Sequence, residues 1–164
     1  TVSINPKRSE IRKESTIARE AYFLAYTEEI KKVIDIPLMV TGGFRSRLAM
    51  ETAINQGACE IVGIGRPLCS DPSSVKKLLD RSIDVLPTFE KTLSIGPGWL
   101  SQRSPFRLIQ ALNAFGIQSW FYSQIRRISE GLSPDLSLNP FKAFRSDGKI
   151  DKETVKAYKF YNKS

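Results

Sequence analysis

Residues Pro37-Leu-Met-Val-Thr-Gly-Gly-Phe-Arg-Ser46 and Cys59-Glu-Ile-Val-Gly-Ile-Gly-Arg-Pro-Leu68 bracket the stretch whose reading decides the fold. Leu38 to Val40 is short and uniformly apolar, which predicts a buried parallel strand rather than an amphipathic surface strand. Gly42 and Gly43 follow, and two glycines in a row let the backbone turn sharply and approach a ligand closely. Ser46 has the chemistry of an N-cap for a helix over 47–56, and Gly57 that of its stop. Ile61 to Ile64 repeats the strand pattern and ends at Gly65-Arg66-Pro67, where the proline suits the first position of a short helix.

The order is therefore strand, glycine turn, helix, strand, glycine turn, helix start. In parallel α/β folds both turns fall at the carboxyl ends of neighbouring strands, where ligands bind. Backbone N–H groups at two helix starts, with Arg66 beside them, suit an anion. Magnitudes favour this local reading over the overall charge. A charge-assisted hydrogen bond contributes about 1.5–3 kcal/mol, whereas distant surface charges are screened beyond about 8 Å at physiological salt. A phosphate held by residues 42 to 45 and 65 to 66 is the expected ligand group.

The pair Val40-Thr-Gly-Gly-Phe-Arg45 and Val62-Gly-Ile-Gly-Arg-Pro-Leu68, followed by Asp71-Pro72, resembles the last two βα units of the Old Yellow Enzyme family of FMN-dependent NAD(P)H oxidoreductases. Arg19-Glu-Ala-Tyr-Phe-Leu24 is similar to the helix before the seventh strand of that barrel. The resemblance covers residues 15 to 80 well and the remainder loosely. It implies that Gly42, Gly43, Phe44, Arg45, Gly65 and Arg66 hold the phosphate of FMN. It also implies that NADH or NADPH delivers hydride to the flavin, which passes it to an acceptor such as an α,β-unsaturated carbonyl. In the family the groups that hold the carbonyl oxygen, a His with His or Asn, and the usual proton-donating Tyr lie on the earlier part of the barrel, so the resemblance assigns no catalytic residue in this chain.

A complete (β/α)8 barrel needs about 200–250 residues, and this chain has 164. The expected fold class is α/β: the C-terminal fragment of a TIM barrel, comprising its last two βα units, followed by a helical C-terminal extension. Residues 1–80 are read as the barrel units and 81–164 as the extension packing on the barrel. The expected partners are the missing N-terminal barrel portion and a small-molecule electron acceptor, with homo-oligomerisation open. A net charge of +8 raises nucleic acid or an anionic membrane as partners. The cations are spread along the chain, however, and the expectation is neither. With no apolar run of membrane-spanning length, the expected location is cytoplasmic.

The absence of histidine excludes His-activated nucleophiles and most zinc sites. Cys59 and Cys69, the only cysteines, read as buried thiols, so neither an iron–sulfur cluster nor another metal site is expected. Elsewhere the sequence predicts a solvated loop over 1–14 and a barrel-covering helix over 16–34. Asp71-Pro72 is expected to open a helix to about Asp80. Helices are also expected over 106–115 and 119–130, split by Gly116, with Arg126 and Arg127 facing outward. Asp135 to Phe144 reads as a surface strap, Ser146-Asp147-Gly148 as a turn, and Asp151 as the cap of a short final helix. Two alternatives stay open: a barrel for another phosphate ligand, and a non-catalytic basic fragment binding through Trp120, Arg126 and Arg127.

Overall fold

The computed structural model describes residues 26, 27 and 29 to 161. The loop expected over 1–14 and most of the helix expected over 16–34 lie outside the described residues. The chain divides into two compact units, one of residues up to Leu68 with Ser73–Pro87, the other of Cys69–Pro72 with Thr88 onward.

In the first unit β1 (Met39–Thr41) and β2 (Ile61–Gly63) pair in parallel, with Met39 opposite Ile61, Val40 opposite Val62 and Thr41 opposite Gly63. The connection between them carries helix α1 (Arg47–Asn55), as a parallel pair requires. Ser46 caps α1, its Oγ accepting from the Ala49 N–H at 3.3 Å. At the other end Gly57 adopts φ 69°. Its N–H donates to the Ile54 carbonyl, and the Ala58 N–H donates to that of Ala53, both at 2.9 Å. This is the Schellman closure that a left-handed glycine permits.

Val40, Phe44, Met50, Ala53, Cys59, Leu78 and Leu86 form the core of this unit, with Val62 and Ile64 against it. The strands were expected to be wholly buried; the structure covers only one face. Because side chains alternate along a strand, Val40 is buried while Met39 and Ile61 remain 61% and 52% exposed. Helix α2 (Arg66–Ser70) follows β2, and α3 (Ser74–Leu79) comes after it. Asp71 does not cap α3 as expected. It lies immediately past the end of α2, so Asp71-Pro72 is spent on the link between two short helices, and α3 starts at Ser74.

The second unit begins with two 3-10 turns, Phe89–Lys91 and Gly98–Leu100, and is built on helices α4 (Arg107–Ser129) and α5 (Pro140–Tyr161). Both helices correct the sequence reading. Gly116 does not split α4: it is buried in mid-helix, and a Cβ there would lie 3.2 Å from Pro140 O and from Ile95 Cγ2. The glycine is a point of close approach. The strap, turn and short helix expected over 135–161 are instead one loop and one long helix. Asn139 caps α5 through Oδ1, which accepts from the Phe141 N–H at 2.8 Å, with Pro140 at the first position.

Trp120 is fully buried with Leu93 and Ala143, its ring stacked on Phe89 at 6.2 Å and edge-on to Phe121 at 5.1 Å. Two buried amides fasten loops to α4. Asn113 donates to the Leu100 carbonyl at 2.9 Å and accepts from the Ile95 N–H at 3.0 Å. Gln124 accepts from the Asp135 N–H at 2.7 Å and donates to its carbonyl at 3.0 Å. Arg126 pairs with Asp147 at 2.6 Å and Arg127 donates to the Ser133 carbonyl at 2.9 Å. The alternative of a basic surface built on Trp120, Arg126 and Arg127 loses its ring, which is interior, while both half-buried guanidinium groups are engaged within the fold.

Candidate functional site

The two glycine corners share one cavity. Its volume is about 490 Å³, and Gly42, Gly43, Phe44 and Arg45 line it beside Gly63, Ile64, Gly65 and Arg66, with Met39 and Thr41 completing the wall. The parallel register makes this so. Thr41 pairs with Gly63, so both chains leave the sheet at the same end and turn side by side. Every residue in the expected phosphate set therefore reaches one space.

The corner after β1 is made by Gly42 at φ 89° and Gly43 at φ 80°, a left-handed pair that L side chains rarely adopt. The corner after β2 depends on a glycine outside the expected set. A Cβ on Gly63 would come within 2.2 Å of Thr41 Cγ2, so this position is glycine because a neighbouring side chain crosses it. The strand pairing that reveals this is not visible in a linear reading. At Gly65, by contrast, a Cβ would meet no atom within 4 Å; the missing side chain leaves room there.

The six expected residues are brought together in different ways. Phe44 is 2% exposed and part of the core, so it meets the cavity from within the packing. Arg45 is half-buried, its guanidinium donating to the Phe44 carbonyl at 2.9 Å while its own carbonyl accepts from the Leu86 N–H at 2.7 Å. Arg66 is exposed at the cavity wall. The amino end of α1 differs from expectation. The Arg47 N–H donates to the Asp84 carbonyl at 2.9 Å and that of Ala49 to Ser46, so the fold itself uses these donors. Arg47 is further held by Asp84 at 2.7 Å and Glu51 at 3.1 Å, which raise its pKa.

Among the described residues the cavity wall carries two arginines and no carboxylate, an electrostatic match for an anion. Neither cysteine belongs to it; burial pushes both the Cys59 and the Cys69 thiol above the usual range. Among the described residues no group of three His, Cys, Asp or Glu is placed to hold a metal. Nor is any described helix long and apolar enough to cross a membrane.

Parts of the chain are similar to known proteins. The chain is 43% identical over 61 residues to an NADH-dependent flavin oxidoreductase (iliE) of Hypocrea jecorina, covering 37% of this chain and 15% of that protein. It is 28% identical over 117 residues to a second NADH-dependent flavin oxidoreductase (iccE), of Talaromyces variabilis, covering 68% of this chain and 27% of the relative. A bilirubin reductase of Mediterraneibacter gnavus is 43% identical over 53 residues, 32% of this chain and 8% of that protein. The chain thus spans about a quarter or less of each of these relatives. No family model matches it, and no solved structure does so significantly. Over the stretches matched, the chain is similar to Old Yellow Enzyme-like NADH-dependent flavin oxidoreductases.

Proposed function

We propose that this chain supplies the FMN-phosphate end of a TIM-barrel NAD(P)H oxidoreductase, as the last two βα units and a helical extension of a longer cytoplasmic enzyme. One observation carries the reading: both glycine corners and Arg66 wall a single cavity at the carboxyl end of paired parallel strands. The residues fit the group. Left-handed Gly42 and Gly43 keep side chains from the corner, and the cations at the wall match a phosphate dianion. In this assignment Arg66 and the main chain of Gly43 and Gly65 grip the phosphate. Arg45 and Gly42 shape the turn, and Phe44 anchors it to the core.

A bound flavin supplies hydride exchange with NADH or NADPH; this chain's task is to hold its phosphate and fix its position. The exposed face of β1 and β2, bearing Met39 and Ile61, is where the earlier strands would close the barrel. Those strands would bring the groups that bind the acceptor. The relatives named NADH-dependent flavin oxidoreductases support flavin and NADH as the chemistry.

The test is flavin stoichiometry of the full-length parent. Arg66→Ala is expected to lower bound FMN affinity by roughly tenfold or more, the loss of one charged hydrogen bond of about 1.5–3 kcal/mol. Unchanged flavin content would refute the assignment. A co-purified sugar phosphate or other nucleotide, identified by mass spectrometry, would replace FMN as ligand while leaving the cavity its role.

A further inference from the structure

The linear sequence spreads its cations, but α5 gathers six of them. Lys142, Arg145, Lys149, Lys152, Lys156 and Lys159 follow one another at intervals of three, four, three, four and three residues. That spacing lines side chains along one stripe of a helix. All six are exposed, and the stripe runs about 25 Å at 1.5 Å per residue. Phe141 and Phe160, each four residues from a member of the stripe, stand at its two ends, 43% and 78% exposed. Over its first turns the opposite side of α5 is the side that packs. Ala143 is buried, Pro140 meets Gly116, and Asp147 takes the Arg126 guanidinium. Asp151 continues that side, and Glu153, four residues after Lys149, is the one carboxylate at the margin of the stripe.

We propose that this stripe is a docking surface for an anionic lipid bilayer, with the helix lying flat on the headgroups. Three features select this partner. The cations are five lysines and one arginine, point charges suited to a diffuse anionic field rather than the forked geometry that reads individual phosphates. The surface is the convex side of a helix, which a plane can meet along its whole length. The exposed phenyl groups lie on the same stripe, and the boundary between headgroups and acyl chains receives both kinds of side chain at once. A nucleic-acid duplex would take the cations but make no use of exposed Phe141. Clusters of roughly four to eight basic residues on an amphipathic helix are of the size that binds anionic leaflets. The inference is independent of the flavin reading.

Vesicle co-sedimentation of the full chain tests it. The chain is expected to pellet with phosphatidylcholine vesicles containing phosphatidylserine, to stay in solution with phosphatidylcholine alone, and to be released by high salt. The triple variant Lys149→Gln, Lys152→Gln, Lys156→Gln is expected to bind the anionic vesicles at least about tenfold more weakly. The same three positions changed to Arg should retain binding, and Phe141→Ala should weaken it several-fold at unchanged charge. The exposed positions leave helicity intact, which circular dichroism checks. Equal pelleting with neutral vesicles, or undiminished binding by the glutamine variant, would overturn the proposal. So would capture of the chain by duplex DNA with none by anionic vesicles.

Discussion

Two glycines of the second unit show how one residue type carries opposite consequences. Gly116 sits where Pro140 O and Ile95 Cγ2 would each lie 3.2 Å from an added Cβ, whereas at Gly148 nothing lies within 4 Å. Gly116→Val is therefore expected to destabilise by about 1–3 kcal/mol through overpacking. Gly148→Ala, in the interior of α5, is expected to stabilise by about 0.5–1 kcal/mol through helix propensity. Chemical denaturation of the two variants checks both signs. A third residue tests pH. The Glu60 carboxylate accepts from Lys31 and, at 2.8 Å, from the Leu38 N–H, and these contacts hold its pKa below the ordinary value. Its contribution is complete above the unfolded value of about 4.3 and is lost as pH falls through the lower folded value. Thermal melts should show Glu60→Gln less stable than the parent at neutral pH and level with it in strong acid. A constant gap across that range would remove Glu60 from the acid response.

At the scale of elements, the legible parts were those whose signals are local. The α1 start at Ser46 and its stop at Gly57 follow from cap chemistry within a few residues, and the glycine corners follow from backbone freedom. Their meeting in one cavity follows from parallel order, so most of the candidate site could be read in advance. Gly63 could not, because its constraint comes from Thr41 across the sheet. The errors cluster where long-range packing overrules local propensity. Gly116 and Ser146-Asp147-Gly148 look like breaks, yet the first lets α5 approach α4 and Asp147 is drawn into α5 by Arg126. Buried Asn113 and Gln124 also interrupt the apolar stripe of α4, hiding its continuity from a periodicity count. The capping signal for α5 was present at Asn139-Pro140 all the same. Asn139→Ala removes the acceptor for the Phe141 N–H and is expected to destabilise by about 0.5–2 kcal/mol. Urea unfolding monitored by Trp120 fluorescence measures it, and a change within error would show that packing alone sets the helix start.

For the whole molecule, the two units rest on different kinds of support. Among the described residues the first has a sheet of two short parallel strands, covered on one face and carrying exposed Met39 and Ile61 on the other. Two-stranded sheets are marginal by themselves, and their hydrogen bonds open by local fluctuation well below the global unfolding free energy. The second unit is centred on fully buried Trp120 in a 23-residue helix whose neighbours are pinned by satisfied buried amides. Native-state hydrogen exchange of the chain should therefore show strand amides near Val40 and Val62 exchanging faster than α4 amides near Trp120. On the barrel-fragment reading, adding the preceding βα units should slow the strand amides, because neighbouring strands would cover the Met39 and Ile61 face and pair the open edges. The α4 amides near Trp120, already inside a closed core, should change little. Slow strand exchange in this chain by itself would mean that the two strands need no further partners, and would count directly against the barrel reading.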